Sequence, residues 1–356
     1  GVSLFVVVFA VYPFAAALFK EANYPKRFVA PVIALGAFTA TMDCLPGTPQ
    51  IQNIIPTTYF GTNLYAAPLA GIIGAIIIYG GGIFYLTHRL RHAVANGEGY
   101  GNHKINEPEH NEDMTYVNWK LAVIPLLAVL IINFVITECV VWDPDILTPF
   151  QQMKGVPLVA AKLKNVVSIW ALIISLVVGI VLALIVGKRE IKSVDGLTKI
   201  LNAGAIGSLL AIMNTASEVG YGNVISQLPG FADVAHFLIN IHIGGTPLVS
   251  EAISVTVLAG ITGSASGGMS IALELMSQDW LTWAQSIGMG PEILHRVASM
   301  ASGGLDTLPH NGAVITLLAV CGLSHRESYK DIFAITLMKT FAVFVIILIY
   351  SVTGLH

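Results

Sequence analysis

Charge is what this chain has least of. Charged residues make up 11% of its 356 positions, against roughly 25% in soluble domains. Hydrophobic residues reach 55%, and the mean hydropathy is +0.75. So little polar surface cannot cover the chain in water, which makes it an integral membrane protein. The scarce basic residues form no stripe, and a net charge of −3 excludes the electrostatic footprint of a nucleic-acid binder. Cysteine is scarce too. Cys44, Cys139 and Cys321 lie far apart within or beside apolar runs, which excludes a disulfide framework or thiolate metal centre. His88, His92, His103 and His110 lack metal-ligand spacing. No metal or cofactor is expected.

Long apolar runs are what the chain has instead. A helix needs about 20 apolar residues to cross a bilayer. Residues 66–87, 119–141, 166–187 and 332–353 meet this without a break, and a shorter run over 4–19 holds Pro13. Four further runs are interrupted. They are 28–60 around Asp43, 197–227 around Asn214-Thr215-Ala216-Ser217-Glu218-Val219-Gly220-Tyr221-Gly222, 247–276 around Gly263-Ser264-Ala265-Ser266-Gly267-Gly268, and 291–323 around Asp306. At about 1.5 Å per residue, each limb of 247–276 is too short to cross alone. That predicts a re-entrant hairpin with the Gly/Ser run at its tip. Residues 88–118 are polar and aperiodic, as a solvent linker would be.

Two of the interruptions carry the same Asp-x-Leu-Pro pattern, as Asp43-Cys44-Leu45-Pro46 and Asp306-Thr307-Leu308-Pro309. An ionisable residue at membrane depth is a functional-site hypothesis by default, and broken helix there survives only inside protein or along a cavity. A single copy would mark no more than a kink. Two copies point to a duplicated device. Loops 20–27, 88–118, 188–199 and 324–330 hold 12 of the 18 basic residues, whereas 61–65, 142–164, 229–246 and 277–290 hold three. The positive-inside rule makes the first set cytoplasmic. The Asp43 helix then runs outward and the Asp306 helix inward, each after a hairpin signal at matched distance. The expected fold is therefore an all-α polytopic membrane protein of two inverted repeats, each with a re-entrant hairpin and a broken transmembrane helix. Such repeats place substrate at their interface near the midplane. The expected organisation is a first repeat over 1–87, a cytoplasmic loop over 88–118, a connecting span and periplasmic loop over 119–165, and a second repeat over 166–356. Gly1 aligns with the tip of the second hairpin, so on the order of 100 residues are expected before it if repeats share element lengths.

A helix halted in mid-membrane leaves free N–H groups where it restarts and free C=O groups where it stops. The first suit an anion and the second a cation. Thr48 and Asn53 follow the first break, His310 and Asn311 follow the second, and Ser264 and Ser266 lie in the hairpin tip. These six are the candidate substrate ligands. Asp43, Asp306, Glu218 and Asn214 are the candidates for ion coupling or for shaping the breaks. No Lys or Arg is expected deep in the membrane beside the breaks, so anion binding is expected to rest on dipoles and hydroxyls.

The runs Gly303-Gly304-Leu305-Asp306-Thr307-Leu308-Pro309-His310-Asn311-Gly312-Ala313, 214–222 and 263–268 resemble the gluconate permease (gluconate:proton symporter) family of the ion transporter superfamily, and within it most resemble the members named for 3-hydroxybutyrate. The resemblance implies proton-driven uptake of a small hydroxy- or sugar-acid at the bacterial inner membrane. It also implies a homodimer with elevator-type motion. Protons are the expected coupling ion, with sodium as the alternative. Two other classes remain open: an intramembrane aspartyl protease using Asp43 and Asp306, and a passive anion channel.

Overall fold

The computed structural model describes residues 4–107, 118–143, 146, 163, 167–188, 191, 193–241, 243 and 245–355. Among these residues all regular structure is helical. In chain order the α-helices are α1 (Leu4–Glu21), α2 (Val29–Ala37), α3 (Ala40–Asp43), α4 (Ile51–Phe60), α5 (Pro68–Ala95), α6 (Trp119–Phe134) and α7 (Val167–Val186). There follow α8 (Val194–Ser226), α9 (Pro229–Ile239), α10 (Leu248–Thr262), α11 (Ala265–Ser286), α12 (Pro291–Ser302), α13 (Gly312–Cys321) and α14 (His325–Thr353). Proline opens α5, α9 and α12 at the first turn, where its missing N–H costs nothing.

Among the described residues, four helices are long and apolar enough to cross a membrane: α5, α14 and the windows Lys120–Thr137 and Ile169–Val186. They match the four unbroken runs of the sequence. Ile76, Phe84, Leu126, Ile180, Phe341 and Leu348 project from them, exposed, as lipid-facing side chains would.

The two breaks sit in matched surroundings. Each is followed by a ten-residue helix, α4 or α13, that ends at a left-handed glycine, Gly61 or Gly322. A helix of 28 or 29 residues then follows. Packing is matched as well. α1 packs on α2 and α13, and α11 packs on α12 and α4. α2 touches α13 and α12 touches α4, while α5 and α14 lie against each other. α10 and α11 form a tight pair, turned at Gly263, whose φ of 66° is open to glycine at little cost.

Three expectations need correction. Residues 214–222 do not interrupt their helix, because α8 runs unbroken from Val194 to Ser226. Asn, Thr and Gly lower helix propensity by at most about 1 kcal/mol each, and without proline the run has nothing to stop the hydrogen-bond ladder. The second hairpin limb continues beyond 276 to Ser286. Residues 88–118 are not simply a solvent linker: 88–95 complete α5, and 96–107 dock. Lys26, fully buried, donates to Glu107 (2.8 Å) and to the Ile105 carbonyl (3.2 Å). Tyr12 donates to the Asn106 carbonyl at 2.7 Å, and Asn106 Nδ2 donates to the last carbonyls of α13, Ala319 at 2.9 Å and Val320 at 3.2 Å. Arg27 grips Glu98 with two donors. The rest of the loop, 108–117, lies outside the described residues.

These loop carboxylates couple docking to pH. Burial disfavours the charge on Glu107 most, but the hydrogen bond and charge of Lys26, with the Tyr100 hydrogen bond and the charge of Lys20, together outweigh it and hold the carboxyl below the usual range. The Arg27 hydrogen bond lowers Glu98 likewise. A lowered carboxylate stabilises the fold above its unfolded pKa of about 4.3 and loses that stabilisation as pH falls through its native value. Amide protection factors over 96–107, corrected for the intrinsic pH dependence of exchange, should therefore be high at neutral pH and fall in acid. Glu107→Gln should weaken protection at neutral pH and shrink its pH dependence. An unchanged pH response in that variant would refute the coupling.

Candidate functional site

A helix that ends inside apolar protein must satisfy its last carbonyls without water. At the end of α2 this is done group by group. Phe38 N–H donates to Ala34 O at 2.9 Å, the Thr39 hydroxyl to Leu35 O, and the Thr41 hydroxyl to Gly36 O at 2.7 Å. The carbonyl of Phe38 itself accepts from Lys339 Nζ, 2.9 Å away. Lys339 comes from the middle of α14 and is 1% exposed. Its ammonium stands where the partial negative end of α2 points.

A second cation braces the other side of the first break. Arg296 on α12 is 0% exposed. Its Nε and Nη2 donate to the Ala66 carbonyl at 3.1 and 2.8 Å, and Nη1 donates to Asn53 Oδ1 at 3.1 Å. Longer contacts reach the carbonyls of Asp43 (3.4 Å) and Leu64 (3.5 Å). Ser299, one turn on, donates to Asp43 O at 2.8 Å. The grip on Ala66 precedes Ala67, an alanine at φ 43° that holds this rare conformation only because its surroundings over-determine it. Asn53 closes the network. Its Nδ2 donates to the Thr48 and Leu64 carbonyls, both at 2.9 Å, so its Oδ1 must accept from Arg296 and from His295 Nε2, at 3.0 Å. His295 is thereby fixed as the Nε2–H tautomer, and its Nδ1 accepts from the Thr62 hydroxyl at 2.6 Å. Thr48 Oγ1 donates to Thr41 O at 2.6 Å.

The second break lies against the α10–α11 turn. Asn311 Oδ1 caps α13, accepting from the N–H groups of Ala313 (2.7 Å) and Val314 (3.3 Å). Its Nδ2 donates to Gly263 O in the turn, and His310 Nε2 donates to Gly260 O at 3.0 Å. Ser264 caps α11, accepting from Gly267 N–H at 3.0 Å, and its hydroxyl lies 3.4 Å from that of Ser266. Two helix N-termini therefore meet at one place, with His310 exposed beside them. Thr307 donates to Thr336 (2.6 Å), which itself donates to Ile332 O at 3.1 Å.

The twin aspartates differ. Asp306 Oδ1 is ion-paired with Lys339. Asp43, 1% exposed, receives among the described residues only the Cys44 thiol on Oδ1 at 3.1 Å, and its Oδ2 has no hydrogen-bond partner among them. That oxygen lies against Gly303, where any Cβ would collide with it. Lys339 also acts electrostatically on Asp43, so one ammonium stands between the two breaks. Glu251 on α10 is a further buried acid, 0% exposed, with neither oxygen bonded.

Thr48, Asn53 and Asp43 thus gather at the first break, and Ser264, Ser266, His310, Asn311 and Asp306 at the second. Asn214 and Glu218 are carried on α8, which packs against α1 and α11; their side chains lie outside the described residues. The expectation of no deep Lys or Arg is overturned by Lys339 and Arg296. Arg296 was visible as a lone cation shortly before the second break, a signal in itself, whereas Lys339 sits within a strongly apolar run. Asp306 meets Lys339, and among the described residues no direct hydrogen bond joins it to Asp43.

Paired, charge-braced breaks among spanning-length helices suit a helical membrane transporter. The chain is similar to the Uncharacterized transporter YxjC of Bacillus subtilis (strain 168), with 50% identity over 364 residues that span 100% of this chain and 76% of that protein. It belongs to that transporter family. No family model matches the chain, and no solved structure matches it.

Breaking a buried ion pair from one side typically costs about 3–5 kcal/mol, because a bare charge remains. Lys339→Met should therefore lower the melting temperature in detergent sharply, and adding Asp306→Asn should recover most of the loss. Equal losses in the single and double variants would refute the pairing. Gly303→Ala should destabilise by about 1–3 kcal/mol through overpacking on Asp43 Oδ2. No loss would mean that the two groups are not in contact.

Proposed function

We propose that the protein is a proton-coupled secondary active transporter that imports a small hydroxylated carboxylate, such as gluconate or 3-hydroxybutyrate, across the bacterial inner membrane. The observation that carries this reading is the meeting of the α11 and α13 N-termini at Ser264 and Asn311, in a fold whose first break already has a cation, Lys339, on its carbonyl end. N–H groups and helix dipoles there suit a carboxylate, and hydroxyls suit a hydroxylated one. Ser264, Ser266, His310 and Asn311 are the substrate contacts in this reading, while Thr48 and Asn53 frame the first break. Matched element order and exchanged packing partners fit two inverted repeats, with α10–α11 as a re-entrant hairpin. The resemblance to the gluconate permease family supplies the substrate class, the homodimer and the elevator-type movement.

The test is uptake of labelled gluconate and 3-hydroxybutyrate into proteoliposomes. An inside-alkaline pH gradient should raise the rate several-fold, and unlabelled acid inside should drive counterflow. A rate that ignores the pH gradient but follows a sodium gradient would replace the proton with sodium. Flux that neither saturates nor shows counterflow would make the protein a channel.

A further inference from the structure

We propose that Asp43 carries the coupling proton and that Lys339 is a shared counter-ion, resting on Asp306 when Asp43 is protonated and drawn toward Asp43 when it is not. This rests on the transport reading above. The two tetrads match in sequence, but their surroundings separate the roles. Asp306 has a full cationic partner in Lys339. Asp43 has only a thiol, a weak donor, on one oxygen and nothing on the other. The place of that free oxygen is specific, since only a glycine at 303 leaves room for it.

The helix that carries Asp43, α3, packs against α2, α4, α5 and α12. α2 has no titratable residue. Tyr59 of α4 is bonded to Glu274 at 2.9 Å. Tyr79 of α5 and Arg296 of α12 face Asp43, as do Lys339 and Asp306 beyond them. Arg296 spends its donors on carbonyls and on Asn53, bracing the Asp43 main chain and leaving its carboxylate bare. His295 faces Asn53 and Thr62 instead. A buried carboxylate without donors is costly in its charged form, so Asp43 holds a proton unless Lys339 comes to it.

The charge balance then couples the two solutes. Arg296, Lys339, Asp43 and Asp306 sum to zero with both acids ionised. A proton on Asp43 forms one O–H bond, changes no other bond, and raises the sum by one. A bound carboxylate returns it to zero. An anion without the proton would leave one uncompensated buried negative charge, which the membrane disfavours. Loaded and empty sites are thus equally neutral.

The test uses the full chain in proteoliposomes, with labelled gluconate and 3-hydroxybutyrate. Asp43→Asn should still catalyse counterflow, while its uptake becomes the same with and without a pH gradient. Asp43→Glu should keep coupling but shift the pH midpoint of uptake, and Glu251→Gln should respond to the gradient as wild type does. Gradient stimulation persisting in Asp43→Asn, or lost in Glu251→Gln alone, would overturn the assignment. If Asp43→Asn also loses counterflow, an unshifted midpoint in Asp43→Glu overturns it and a shifted one sustains it. Absence of counterflow in the wild type would instead overturn the transport reading, and this assignment with it.

Discussion

Helices that stop in an apolar interior end in a row of carbonyls that water cannot reach. Here that problem is met by charge. Lys339 closes the end of α2 and Arg296 takes the carbonyls of the segment leading into α5. Cations suit the negative end of a helix dipole, but each needs a balancing acid or a dense set of acceptors to be tolerated when buried. Lys339 has Asp306. Arg296 has Ala66, Asn53 and the main chain of Asp43. The rest of the interior is arranged around these two side chains, including the strained Ala67 and the fixed tautomer of His295.

The helices around the two breaks are alike in length and packing, and their charges are not. α4 and α13 match in length and ending, and the packing of α1 on α13 answers that of α11 on α4. Yet both deep cations come from the second half, on α12 and α14. Two similar breaks are thus given different work by single side chains. One aspartate is locked in an ion pair and its twin is left with a free oxygen. Identical motifs in unequal surroundings are how one site can hold a fixed charge beside a changeable one.

Much of this was legible along the chain. The four long helices followed from composition, since about 20 apolar residues have few alternatives to crossing a bilayer. The two breaks followed from Pro46 and Pro309 and from the glycines beside them. The role of Arg296 was not legible, because its acceptors lie some 230 positions earlier. Lys339 was hidden inside a strongly apolar run, where averaging over a window submerges a single charge. The run at 214–222 looked like a third break because it is polar, but polarity alone does not stop a helix. Segment 96–107 looked like solvent linker, and its docking depends on Lys26 and on the α13 carbonyls, both remote in sequence.

The chain by itself determined its membrane class, its helical content, the positions of the duplicated aspartate–proline breaks and the small residues of the α10–α11 turn. These are local properties, set by hydropathy and by what proline and glycine allow a backbone to do. Only the tertiary structure decided which cation meets which carbonyl, which aspartate is paired and which capped helix ends come together. Such contacts join residues hundreds of positions apart, and their energies depend on burial and distance, which no local pattern encodes.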